Sequence, residues 1–376
     1  MNLGEYNVCL SIAKGHVKFH LGDAMIDILD SDYTNFFHTV VGRPENQLLQ
    51  NDELVDIYGN SRILVVGAGG SIGAALSSRL TEAGIQNVFF LDRDESALHA
   101  LALNLSDTAA SLSDKCFIAD IRDPQSISDV IEKVRPDLVI HAAALKHLVI
   151  LERFPREGYL TNILGTLNVA EICARLGVEK FVNISTDKAA NPISVLGKTK
   201  KIGELITEEA YKNSILKQCS VRFGNVFASR GSVIETFIHQ IKNGLPVTIT
   251  DAKVARFFMS HNEAANLVLA AASLEESGTY IQNMGEEVPI VEVVNRIARY
   301  MGVSPKINLI GLQYGEKMHE ELFDSPSIKT DFVSISRSVH SIKTGLIKEI
   351  KIHSPENNSE AVKQLDALVT KYIREN

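Results

Sequence analysis

The sequence predicts an α/β protein: a doubly wound parallel sheet, a smaller C-terminal lobe and a short helical N-terminal extension. Three observations carry this expectation. Short apolar, β-branched runs alternate with longer segments of helical period from Arg62 to Phe223, which is the pattern of βαβ units. A Gly-rich turn joins the first of these strands to the first of these helices. After about Asn225 the alternation weakens, as it does where a second lobe begins. A length of 376 residues leaves room for such a division.

Taken in order, residues 1–60 form a block without a chemical motif. Residues 24–29 (AMIDIL) have helical character, and Gly42-Arg43-Pro44-Glu45-Asn46 reads as a break. A short helical lead-in is expected here, packed on the main body or on a neighbouring subunit. Strands are expected at 63–66, 88–91, 116–119, 138–140, 181–184 and 219–223, because each is a short apolar run suited to burial on both faces. Helices are expected between them at 72–83, 97–105, 127–134, 162–176 and 196–211. Beyond them, 233–242, 262–274 and 291–301 read as helices, and 247–249 and 307–310 as strands. The tail from about His340 has helical stretches and no visible site.

Composition excludes several classes. Charged residues are 22% and hydrophobic residues 45%, which is not the composition of a disordered chain. A net charge of -8 argues against a global hold on nucleic acid or an anionic membrane. No apolar run is long enough to span a bilayer, and the first residues lack a secretory signal pattern. Cys9, Cys116, Cys173 and Cys219 stand far apart with no zinc-type spacing. A reduced, cytoplasmic chain without a metal site is therefore expected.

Gly67-Ala68-Gly69-Gly70-Ser71-Ile72-Gly73 lies between an expected strand and an expected helix. Gly67, Gly70 and Gly73 permit a tight turn, close approach of a pyrophosphate and close helix–strand packing. Ser71 and Ile72 open the helix whose free N–H groups meet the phosphate charge. Asp92 ends the next strand, 19 residues after Gly73, where a carboxylate suits the adenosine ribose hydroxyls. Asp92 favours NAD over NADP, whose 2′-phosphate would meet its charge. Arg93 offers the opposite possibility, or a stack on adenine. Asp120 and Ile121 close the third strand near the adenine. The expected organisation is a Rossmann-type NAD-binding domain over 61–226 with a return segment at about 262–282, a substrate lobe over 227–340 and a tail over 341–376.

Beyond the glycines, a series of motifs runs in order from Arg62 to Leu322. It comprises His141-Ala142-Ala143-Ala144-Leu145-Lys146-His147, Thr161-Asn162, Ser185-Thr186-Asp187-Lys188, Gly197-Lys198-Thr199-Lys200, Arg222-Phe223-Gly224-Asn225, Ser229-Arg230-Gly231-Ser232, Arg256-Phe257-Phe258-Met259 and Gly315-Glu316-Lys317-Met318-His319-Glu320-Glu321-Leu322. On these residues the chain resembles the extended short-chain dehydrogenase/reductase superfamily, and within it the nucleotide-sugar 4,6-dehydratases. Val41-Gly42-Arg43-Pro44 resembles the lead-in to the catalytic domain of large membrane-anchored members, here without their membrane helices.

The resemblance implies oxidation at C4 of a nucleotide-linked hexose, loss of water across C5 and C6, and hydride return to C6. It implies Asp187 as the acid at O6, Lys188 as the base at C5, Thr186 on the C4 oxygen, and Lys200 on the cofactor and at the reacting centre. Ala142, Ala143 and Ala144 would flank the cofactor. Lys146, His147, Asn225, Ser229, Arg230, Ser232, Arg256 and Glu316 would hold the nucleotide sugar, Arg256 by its planar fork on the diphosphate. Asn162 would shape the site. Burial beside Lys200 and a positive nicotinamide would lower the pKa of Lys188. A homodimer or higher homo-oligomer is implied, paired through the helices that start near Asn162 and Leu196.

Two departures stand out. The superfamily has Tyr four residues before its Lys, and this chain has Leu196, which cannot take a proton. Some 4,6-dehydratases carry an apolar residue there. Asp187, or a water relay through the ribose and Lys200, is left to accept the C4 proton. The family's usual Arg is also absent at Gln313. The leading expectation is a UDP-N-acetylglucosamine-type 4,6-dehydratase with retention at C5. The alternatives are an inverting 4,6-dehydratase, a 4-epimerase, which normally keeps the Tyr, and a non-catalytic nucleotide-binding scaffold.

Overall fold

The computed structural model describes residues 10–13, 16–21, 24–46, 48–106, 108–212, 214–324, 326–338 and 344–374. The chain begins with an antiparallel meander of β1 (Leu10–Ala13), β2 (His16–Leu21) and β3 (Ala24–Leu29). The expected helix at 24–29 is thus a strand, because every residue of β3 pairs with β2. The sequence AMIDIL suits either state, and the pairing decides it. Helices α1 (Asp30–Val41) and α2 (Asn51–Tyr58) follow. Arg43 ties this lead-in to the main body, donating to both Glu263 carboxylate oxygens at 2.5 and 3.1 Å and to the carbonyls of Met284 and Phe258.

The βαβ series then runs as expected. It comprises β4 (Ile63–Val66), α3 (Ser71–Glu82), β5 (Val88–Asp92), α4 (Glu95–Leu105), β6 (Cys116–Ile118), α5 (Pro124–Val134) and β7 (Leu138–His141). Short helices α6 (Leu148–Arg153) and α7 (Pro155–Gly158) lead through a π-helical turn, Tyr159–Gly165, into α8 (Thr166–Leu176). β8 (Lys180–Thr186), α9 (Val195–Tyr211) and β9 (Lys217–Phe223) complete the series.

The second lobe contains β10 (Asn225–Val226), α10 (Val233–Lys242), β11 (Val247–Ile249), β12 (Ala255–Arg256) and β13 (Phe258–Met259). Helix α11 (His261–Ser273) returns to pack on α3, and β14 (Gly278–Gln282) pairs in parallel with β9. β15 (Val288–Pro289), α12 (Ile290–Tyr300) and β16 (Ile307–Leu309) go back to the lobe. β17 (Ser327–Lys329) and β18 (Ile335–Ser338) add an antiparallel edge. The main sheet has nine strands in the order β17-β18-β14-β9-β8-β7-β4-β5-β6. Strand order reverses at β4, between β5 and β7, so a crevice opens at the carboxyl ends of β4 and β7.

One apolar core lies between the sheet and α3 and α11, a second on the opposite face beneath α5, α8 and α9, and a third joins α1, α10 and α12 in the lobe. The tail helices α13 (Leu346–Ile352) and α14 (Asn358–Val369) lie across α7 and α9. Leu346, Ile350, Leu365, Leu368 and Tyr372 are buried in the second core with Tyr159, Ile202 and Tyr211. Lys198 meets Asp366 at 2.6 Å, and Glu209 accepts from the Gly345 and Ile347 N–H groups. Of the two helices expected to join subunits, α9 thus packs against the chain's own tail. No described helix is long and apolar enough to cross a membrane.

Candidate active site

The cofactor half of the cleft is made mostly of backbone. Gly67 has φ +83°, and a Cβ there would sit 2.5 Å from the Ala143 nitrogen. A Cβ on Gly73 would lie 2.1 Å from the Gly67 carbonyl oxygen. Only glycine fits either place. The turn delivers Gly70 as the cap of α3, with Ser71 and Ile72 in its first turn. Asp92 holds the turn in shape, accepting from Gly69 N–H at 2.9 Å and Asp94 N–H at 3.0 Å. A cavity of about 240 Å³ runs from Gly67 and Gly70 past Asp92, Arg93, Asp120 and Ile121 to Ala142, Ala143 and Ala144. Asp120 is bound by Arg122 at 2.9 Å and lies 3.7 Å from Arg93. Partial burial pushes its carboxyl up, but the hydrogen bonds and charge of Arg122 outweigh this and hold it below the usual range.

A second cavity of about 570 Å³ continues from Ser71 and Ile72 toward the lobe. Thr186, Lys188, Leu196, Lys200, Lys146, His147, Asn225, Ser229, Arg230 and Ser232 line it. Asn162 fixes one wall. Its side-chain oxygen accepts from Leu145 N–H at 2.8 Å, and its amide donates to the Leu145 carbonyl and to Thr199. This ties the 142–147 loop to α9, in keeping with a shaping role.

At the end of β8, Thr186 donates to Asp187 at 2.8 Å, and Lys188 donates to Asp187 at 3.0 Å and to Asn225 at 3.2 Å. Asp187 is fully buried, and its second carboxylate oxygen has no hydrogen-bond partner. Here the expectation for Lys188 is corrected. Burial does pull its pKa down, but the carboxylates of Asp187 and Glu320 outweigh burial and raise it. Lys200, by contrast, is lowered: burial brings it to about 8 against an upward pull from Glu204. Its charge also helps to keep buried His141 neutral, at about 3, where burial is the larger cause.

The structure redistributes the residues expected on the nucleotide sugar. Arg230 donates to the Gly69 carbonyl, and its N–H meets Ser71 Oγ at 3.2 Å. It therefore bridges the Gly-rich turn and the lobe and lines both cavities. Lys146 stands nearby, its pKa lowered first by burial and then by Arg230. Arg256 and Glu316 do not line either cavity. They pair with each other at 3.1 Å. Arg256 also donates to the carbonyls of Lys317 and Met318, so its fork is spent on the loop 316–318.

That loop brings in a residue the sequence reading passed over. Glu320 is buried, with one carboxylate oxygen 3.7 Å from Lys188 Nζ and the other without a hydrogen-bond partner. Lying in a loop, it had no periodic signal, and only its place in the Gly315–Leu322 motif hinted at a role. The segment is clasped to the turn after β8 by Lys317, which donates to the Ala190 carbonyl at 2.9 Å, and by Asn191, which donates to Glu321. Its far end is anchored by Arg222, which is fully buried. Arg222 donates to Glu204, to the Leu322 carbonyl and to Asp324.

Comparison with known proteins agrees with this architecture. Residues 63–338 match the family described as polysaccharide biosynthesis protein. A capsular polysaccharide biosynthesis protein of Staphylococcus aureus is 40% identical over 275 residues, covering 72% of this chain and 46% of that one. The chain thus spans about half the length of that relative. A UDP-glucose 4-epimerase of Rickettsia canadensis is 35% identical over 276 residues, covering 72% and 79%. Among solved structures, Pen from Bacillus thuringiensis superposes with a TM-score of 0.68 at 28% identity, over 84% of this chain and all of that one. On the family match and the Rossmann-type fold together, the chain belongs to the polysaccharide biosynthesis protein family.

Proposed function

We propose that the chain is an NAD-dependent nucleotide-sugar 4,6-dehydratase acting on a UDP-N-acetylglucosamine-type substrate with retention at C5. The observation that carries this reading is one wall of the cleft. Leu196, an apolar side chain, stands where a 4-epimerase normally keeps its tyrosine, while the Asp187–Lys188 pair sits at the end of β8 close by. An epimerase oxidises and re-reduces one carbon. A dehydratase must also remove a proton at C5 and protonate O6, and an acid beside a base suits those tasks. The relative named as a UDP-glucose 4-epimerase keeps epimerisation as the second reading.

The Gly-rich turn, packed too closely for a Cβ at Gly67 or Gly73, borders a cavity that fits a dinucleotide, and the carboxylate of Asp92 favours NAD over NADP. When bound, the nicotinamide would supply a temporary acceptor for hydride. The side chains of this chain would manage the protons. Thr186 would orient the C4 oxygen, Asp187 would protonate departing O6, and Lys188 would take the C5 proton. Lys200 would hold the cofactor ribose, and Arg230 and Lys146 would face phosphate oxygens.

The test is turnover of UDP-N-acetylglucosamine in heavy water, followed by mass spectrometry and proton NMR. The expected product has lost one water and carries deuterium at C5; a second turnover in ordinary water, with the ketone reduced by borohydride, reads retention from the H3–H4 and H4–H5 couplings. A product of unchanged mass with inverted C4 would instead establish the epimerase.

A further inference from the structure

The chemistry proposed above leaves one proton without a place. Lys188 rests as an ammonium held by Asp187 at 3.0 Å, and an ammonium cannot take a proton from C5. Asp187 is not free to relieve it. With Leu196 in place of tyrosine, the dehydratase reading gives buried Asp187 the task of accepting the C4 hydroxyl proton and then delivering it to O6.

We propose that Glu320 is the proton-holding partner of Lys188: it takes the ammonium proton, frees the amine to act at C5, and returns the proton at the end of the cycle. The inference rests on the dehydratase reading. Three geometric facts support it. Glu320 Oε1 lies 3.7 Å from Lys188 Nζ, near enough for a small side-chain rotation to close a hydrogen bond. Its Oε2 is buried without a hydrogen-bond partner. Its backbone is fixed from several sides: Glu320 N–H donates to Glu287 at 3.0 Å, Arg256 binds the carbonyls of Lys317 and Met318, and Arg222 and Lys201 grip Asp324 at 3.0 and 2.7 Å.

The surrounding charges suit the task. Burial raises the pKa of Glu320, Asp187 raises it further, and Lys188, Arg256 and Lys317 pull it back. Lys188 is in turn faced by Asp187, Glu320 and Arg256. The protons balance. Asp187 gains one from the C4 hydroxyl and loses it to O6 as water leaves. Lys188 gives one to Glu320, gains one from C5, returns one to C5 when C6 has been reduced, and recovers its own from Glu320. Glu320 acts through Lys188, so it is a positioning residue.

The experiment compares the NAD-loaded parent with Glu320→Gln and Glu320→Asp, using UDP-N-acetylglucosamine across a pH series. Four quantities are read: kcat, KM, the steady-state fraction of reduced nicotinamide by absorbance, and the thermal midpoint. Glu320→Gln is expected to keep KM and lose about 10²-fold in kcat. Reduced cofactor should accumulate, because C4 oxidation proceeds while C5 deprotonation stalls. Its kcat should climb with pH where that of the parent is flat, and Glu320→Asp should recover part of the rate. A parent-like profile in Glu320→Gln would overturn the inference, as would a loss equal at every pH. Should the glutamine variant not fold, the aspartate variant decides alone, by whether its profile shifts. A parent that releases no water sinks the dehydratase reading and this inference together. An active parent beside an unshifted variant sinks only the inference.

Discussion

The two halves of the cleft are built from different materials. The cofactor half is shaped by backbone, with glycines at 67 and 73 that admit no side chain and a strand end that presents Asp92. The half proposed to carry the chemistry is shaped by charge, with Lys188 between Asp187 and Glu320 and the closing segment pinned by Arg256 and Arg222. A backbone site is specified within a short stretch of chain. A charge site depends on residues far apart in sequence, and its electrostatics exist only once the fold has brought them together.

The largest effects should separate the halves. Gly73→Val should abolish retention of NAD, measured by calorimetry, and all turnover with it. Lys188→Ala should lose about 10²–10⁴-fold in kcat yet bind NAD like the parent. Loss of NAD affinity in Lys188→Ala would show that the halves are not independent. Next comes Arg222→Met. It leaves buried Glu204 and Asp324 to share Lys201, and should cost about 3 kcal/mol in urea denaturation.

A pH test sharpens the same point. Burial pushes the Glu208 carboxyl from 4.5 to about 7, with the charges of Lys201, Glu204, Arg222 and Asp324 around it. A raised carboxyl favours the folded state while it is protonated. Its contribution is present below 4.5 and is lost as pH rises toward 7, on the order of 3 kcal/mol. Glu208→Gln should flatten this fall, read from thermal midpoints at pH 4 to 8. An unchanged slope would place the titration elsewhere. The smallest effect should be Lys198→Ala. Its partner Asp366 is 56% exposed, so less than about 1 kcal/mol is expected from chemical denaturation.

The same division explains what could be read in the sequence. The strands Ile63–Val66 and Leu138–His141 are buried along their whole length, so an apolar run was enough to mark them. The return of α11 and β14 to the sheet was legible in outline. The antiparallel edge of β17 and β18 was not, because Ser327–Lys329 is exposed throughout and carries no apolar pattern. At the site, Thr186, Asp187, Lys188 and Lys200 came from motifs. The rise in the pKa of Lys188 did not: adjacent Asp187 is its larger cause, and Glu320 adds to it from a distant segment that only the fold brings near. Arg256 reads as a diphosphate ligand by type, and only the carbonyls of Lys317 and Met318 reveal its structural use.

The docked tail has a consequence for how the molecule answers to dilution. A face covered by a second chain is exposed as concentration falls below the dissociation constant. Here α9 is covered by α13 and α14 of the same polypeptide, and a tethered segment behaves as though present at about millimolar concentration whatever the bulk value. The apolar surface of Ile202 and Tyr211 should therefore stay shielded in a dilute sample as it does in a concentrated one.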